Sequence, residues 1–127
     1  MMVTSWAGIG ALARVPLGTL REDEQTRALI NTSIAETRSV ANAHGVAIPA
    51  SFAETLWGFY DTLPAHATAS LMRDMMEGKP SELAAWNGAV HRLGAEVGIP
   101  TPTHSLVYTL LMPMERIARG EVSLPTA

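Results

Sequence analysis

Apolar residues recur along this chain at intervals of three and four, the period of a helix with one buried face. Ile30, Ile34, Thr37 and Ala41 form one stripe. Phe52, Leu56, Phe59 and Leu63 form another, which stops at Pro64. The clearest runs through Leu83, Trp86, Val90, Leu93 and Val97. It predicts a helix over 82–97, ended by Gly98 and Pro100. Leu106, Leu110, Met114 and Ile117 mark one side of a last helix, with Thr103 placed to cap it and Pro113 expected to kink it or cut it short. A first helix over 2–13 and a short one over 71–77, stopped at Gly78, bring the expected number to about six. No run alternates in the manner of a strand with β-branched enrichment, so the expected fold is all-α, a single helical bundle.

The polar residues punctuate the same elements. Glu22, Asp23 and Glu24 place acids at a helix start, where the dipole favours them. His44-Gly45 reads as a helix stop, with glycine supplying the left-handed residue. Ser51-Phe52-Ala53-Glu54 has the form of a capping box. No internal repeat or low-complexity run interrupts the 127 residues, so one domain over 1–127 is expected, with a loose tail over 120–127.

Composition narrows the function classes. Apolar residues make up 47% and charged residues 17%, which suits a core-forming domain. A net charge of -3 with no basic stripe argues against nucleic acid as a partner. The chain has no cysteine, which removes disulfides and thiolate metal sites. No segment reaches the roughly 20 apolar residues that span a bilayer. Ala11-Leu12-Ala13 has the look of a signal cleavage site, but no positive region precedes it, so a cytoplasmic protein with no membrane partner is expected.

Candidate chemistry is sparse. Gly8-Ile9-Gly10-Ala11-Leu12-Ala13 fits the dinucleotide fingerprint G-x-G-x-x-A, yet no strand precedes it and no βαβ unit surrounds it. The glycines are expected instead to let a helix pack closely, and no cofactor is expected on this chain. Lys79, the only lysine, sits in a Gly-Lys-Pro turn and reads as a solvated charge rather than a catalytic acid. His44, His66, His91 and His104 fall on separate elements, with no paired ligand spacing, so no metal site is expected. Ser70 and Glu82 flank the short helix over 71–77, and by residue type alone both read as helix-start residues. Met72, Met75, Met76, Met112 and Met114 suit core filling, or an interface between two copies.

The arrangement of these residues resembles the C-terminal helical domain of the ketopantoate reductase (2-dehydropantoate 2-reductase) family. The resemblance rests on Val15-Pro16-Leu17-Gly18-Thr19-Leu20-Arg21 and His44-Gly45-Val46-Ala47-Ile48-Pro49, and most of all on the segment from Ser70 to Pro102. There, Ser70-Leu71-Met72-Arg73-Asp74, Gly78-Lys79-Pro80-Ser81-Glu82-Leu83, Asn87-Gly88-Ala89-Val90 and Gly98-Ile99-Pro100-Thr101-Pro102 follow one another at the family's spacing. The resemblance implies a domain like the C-terminal domain of 6-phosphogluconate dehydrogenase, used for substrate binding and dimerisation. The implied parent enzyme would reduce a 2-keto acid with NADPH held by an N-terminal Rossmann domain. It would convert ketopantoate to pantoate in pantothenate biosynthesis and would form a homodimer. Ser70 and Glu82 fall on the family's substrate-contacting serine and glutamate. The family's proton-donating lysine would fall just upstream of Met1, and its two asparagines on the same helix fall near Val3 and Ala7. The chain alone is therefore expected to be inactive. The alternative is a stand-alone helical module for dimerisation or ligand binding, without catalysis.

Overall fold

A computed structural model describes all residues, 1–127. Seven helices and no strand build it: α1 (Ala7–Ala13), α2 (Leu17–Glu22), α3 (Glu24–Ala43), α4 (Phe52–Tyr60), α5 (Ser70–Glu77), α6 (Asn87–Glu96) and α7 (Pro102–Ala118). The all-α expectation holds. The additional helix is α2, in a segment too short for periodicity to register. Its Leu17 and Leu20 are buried in the shared core with Ile30, Ile34, Leu71 and Leu111.

Several boundaries differ from the sequence expectation. The first helix begins at Ala7 rather than Met2, with turns over 2–6. Those turns are pinned by Tyr60, whose buried hydroxyl bonds Ser5 Oγ at 2.6 Å and also the Met2 carbonyl. The helix expected over 82–97 begins only at Asn87. Asp23 caps α3 as the acidic run suggests, accepting from the Thr26 amide at 2.8 Å. Ser51 forms no capping bond, because its backbone is already helical. Pro113 does not cut α7 short, and the helix continues to Ala118.

The last helix also turns a different face inward. Leu106, Leu110 and Met114 are 59, 53 and 45% exposed, whereas Val107, Leu111 and Glu115 are buried. The cause is a polar lock at the start of α7. Pro102 occupies the first helical position, and the next two amides, of Thr103 and His104, donate to Glu36 Oε1 and Oε2 at 2.8 and 3.1 Å. Glu36, buried in the middle of α3, thus performs the capping role expected of Thr103 and opposes the positive end of the helix dipole.

His104 completes the lock. Asn87 Nδ2 donates to His104 Nδ1 at 3.1 Å, so the ring hydrogen sits on Nε2, which donates to the Ser33 carbonyl at 2.9 Å. Asn87 Nδ2 also reaches the Thr4 carbonyl at 3.5 Å. One fully buried imidazole therefore ties α3, α6 and α7, and through Asn87 the turns before α1. Gly94 lets α6 close against the loop before α7, since a Cβ there would lie 2.8 Å from both the Ile99 carbonyl and the Thr101 methyl.

Two stability predictions follow from this lock. Glu36→Ala removes two charge-assisted bonds and strands two buried amides, so urea denaturation should show a loss of about 3 kcal/mol. An unchanged midpoint and slope would contradict the capping role. For His104, burial lowers its pKa from the ordinary 6.5 and outweighs the opposing Ser33 bond and Glu36 charge. The unfolded chain then takes up a proton that the native site refuses, so stability is full above about pH 6.5 and falls as pH drops below it. Denaturation across pH 5 to 7 (about the unperturbed histidine range) should show this slope, flattened in His104→Gln. Equal slopes in the two proteins would remove His104 as its source.

Candidate functional site

Ser70 and Glu82 are each gripped between buried neighbours. Ser70 opens α5 between Ala69 and Leu71, which are 6 and 0% exposed, and its own side chain faces solvent. The backbone cap of this helix is Ala69, so Ser70 does not serve as the N-cap. Glu82 lies between Ser81 and Leu83, 8 and 0% exposed, and is likewise turned outward. Neither side chain takes part in a hydrogen bond or ion pair, and the two are not bonded to one another. Two polar groups are thereby fixed by their backbones and left free to meet a ligand.

The Glu82 turn is anchored by a second buried carboxylate, Glu115. The Ser81 amide donates to both oxygens of Glu115 at 3.0 Å, and Ser81 Oγ donates to Oε2 at 2.6 Å. Arg119 Nε donates to Oε1 at 2.6 Å, while its other arm reaches the Ser81 carbonyl at 3.0 Å. Ser81 Oγ in turn accepts from the Leu83 amide at 3.2 Å. Burial pushes the Glu115 carboxyl up, but the Ser81 bonds and the Arg119 charge outweigh it and hold it below the usual carboxylate range. Glu115 is therefore ionised at neutral pH, and Glu82 is presented from a turn held at its base.

The other candidate positions do not add polar groups. Val3 is half-buried and Ala7 is fully buried, and both pack against the core. Lys79 is exposed and pairs with the exposed Glu77. Gly8 and Gly10 lie inside α1, with no strand before them. A Cβ on Gly8 would overlap Val107, and one on Gly10 would lie 2.8 Å from the Met72 methyl. Side chains thus occupy the space that a pyrophosphate needs, and the residues of this chain do not fit a dinucleotide cradle. Tight packing explains these glycines, as the absence of a βαβ pattern suggested.

Glu36, Ser81, Asn87, His104 and Glu115 carry the polar architecture, and the sequence alone did not single out their roles. Asn87-Gly88 could be noted beside the core stripe, but its partner His104 lies 17 residues away. The largest concavity, about 500 Å³, is an apolar groove that includes Ile9, Leu12, Leu29, Leu106 and Val107 and lies apart from Ser70 and Glu82.

Comparison with known proteins identifies this fold. The family described as "Ketopantoate reductase PanE/ApbA C terminal" matches residues 1–115. A 2-dehydropantoate 2-reductase of Mesorhizobium japonicum is 35% identical over 107 residues, 84% of this chain and 32% of that protein. One of Aquifex aeolicus is 32% identical over 111 residues, 84% of this chain and 36% of the relative. The chain therefore spans about a third of the length of these relatives. Among solved structures, a dimeric ketopantoate reductase from Staphylococcus aureus superposes with a TM-score of 0.86 at 21% identity, over 92% of this chain and 41% of that one. A ketopantoate reductase of the PanE/ApbA family from Ralstonia eutropha JMP134 gives 0.83 at 27% identity, over 93 and 39%.

Proposed function

The chain belongs to the ketopantoate reductase family, matching its C-terminal domain over residues 1–115, and from that premise we propose that residues 1–127 form the substrate-binding and dimerisation half of a 2-keto acid reductase. The reaction would be the NADPH-dependent conversion of ketopantoate to pantoate, in pantothenate biosynthesis and in the cytoplasm. The observation that carries this reading is the family match together with Ser70 and Glu82, both held outward by buried neighbours.

In this reading the Ser70 hydroxyl bonds the polar end of the substrate. The Glu82 carboxylate accepts from a substrate hydroxyl and orients the family's lysine. A site built from such bonds discriminates strongly against analogues lacking the partner group. NADPH supplies the hydride in the parent enzyme. Because α1 offers no dinucleotide cradle, its binding is assigned to the Rossmann domain that the resemblance implies, and the isolated chain is proposed to be inactive. The solvent-facing Leu106, Leu110 and Met114 support homodimerisation, since a stripe of this kind favours a covered face. No helix is long and apolar enough to cross a membrane.

A second reading, a helical binding or dimerisation module without catalysis, is favoured by one observation. Val3 and Ala7, at the positions of the family's asparagines, cannot hydrogen-bond through their side chains, and Ala7 is fully buried.

Calorimetric titration of pantoate into the chain separates the two. We expect binding that Ser70→Ala and Glu82→Gln each weaken about tenfold or more, with unchanged circular dichroism because both side chains are exposed. Binding that ignores both substitutions would move the substrate site elsewhere. No binding at all would favour the non-catalytic module. NADPH oxidation by the isolated chain at an enzyme-like rate would overturn the proposed division of labour.

A further inference from the structure

A pocket of about 240 Å³ opens between α6 and α7, lined by His91, Tyr108, Thr109, Met112, Pro113 and Arg116. Neither Ser70 nor Glu82 belongs to its wall, and no carboxylate does. The imidazole of His91 is fixed on two sides. It stacks on Tyr108 with ring centroids 5.8 Å apart, and its Nδ1 bonds Ser105 Oγ at 2.7 Å, backed by Thr101 Oγ1 at 3.0 Å. Nε2 is left without a protein partner, as is the Tyr108 hydroxyl.

Arg116 is unusual within the chain. Arg21, Arg38, Arg73 and Arg92 donate to backbone carbonyls, Arg27 lies over Trp57, and Arg119 pairs with Glu115. Only Arg14 and Arg116 keep guanidinium groups without a protein partner, and Arg116 is the one beside this immobilised histidine. The wall also includes a break in the helical hydrogen-bond ladder. Pro113 has no amide hydrogen, so the Thr109 carbonyl lacks its helical donor, and both residues face this pocket.

We propose that this pocket binds a small oxyanion, a phosphate or a carboxylate, held between the Arg116 guanidinium and His91 Nε2, with the Tyr108 hydroxyl as a third donor. A net charge of -3 gives an anion no long-range attraction to this chain, so recognition depends on these local donors acting together. The site is independent of Ser70 and Glu82, so it can be occupied whether or not substrate binds there.

The test is a titration of the isotopically labelled chain with inorganic phosphate, and separately with lactate, at constant ionic strength, following the His91 ring resonances by NMR. We expect a saturable shift with at least one probe, weakened about tenfold or more in Arg116→Gln and retained in Ser70→Ala. The probe that binds more tightly identifies the oxyanion class. Arg116 is exposed and makes no side-chain bond, so its substitution leaves the fold intact, which circular dichroism verifies. Shifts that never saturate with either probe, or that persist unchanged in Arg116→Gln, would overturn the proposal. Shifts lost in Ser70→Ala instead would assign the binding to the substrate surface and overturn it equally.

Discussion

The carboxylate of Glu36 on the first amides of α7 is the constraint around which this bundle is arranged. A buried helix start leaves unpaired N–H groups that each cost free energy unless a partner is supplied. Here the partner comes from the middle of another helix, α3, so satisfying those amides also fixes how the two helices pack. His104, one residue on, extends the same contact to Ser33 and to Asn87, and Asn87 to the Thr4 carbonyl. At its other end α7 reverses the relationship and offers Glu115 to the backbone and hydroxyl of Ser81. A helix held at both ends by buried carboxylates has little freedom to rotate. Its Leu106, Leu110 and Met114 therefore face outward although their spacing would suit a core.

That arrangement explains what the amino-acid pattern could and could not convey. The elements themselves were legible: the stripe of α3, the Asp23 cap and the His44-Gly45 stop lie where local chemistry puts them, whereas α4 ends at Tyr60 and buries Leu56, Trp57 and Tyr60 while Phe59 of its expected stripe is exposed. The inward face of α7 was not. Periodicity reports that apolar residues share a side, but not which side finds a partner. Buried polar residues such as His104 and Glu115 count as surface in any such reading. In α6 the same problem takes another form. Its buried face is Asn87, Gly88, Val90 and Gly94, of which only Val90 belongs to the apolar stripe, while Leu93 of that stripe is left exposed.

The candidate substrate surface was legible only through likeness to a family. By residue type, Ser70 and Glu82 are ordinary helix-start residues, yet neither caps a helix here. What distinguishes them is the burial of the residues on either side, and for Glu82 the Ser81–Glu115–Arg119 cluster beneath it. Glu115 lies 34 residues from Ser81, a separation at which no local signal links them. The same polar contacts that orient α7 thus support the turn from which the function is proposed to operate. The glycine motif in α1 shows the converse, a fingerprint in the letters whose space is filled by Val107 and Met72.

Native-state hydrogen exchange tests the central claim, that α7 is clamped at both ends rather than fraying there. The amides of Thr103, His104 and Ser81 should exchange only with global unfolding, as slowly as those of the buried Ile34 and Leu111. Fast exchange at Thr103, His104 and Ser81, with Ile34 and Leu111 still protected, would show that the carboxylate contacts are not what holds the bundle together.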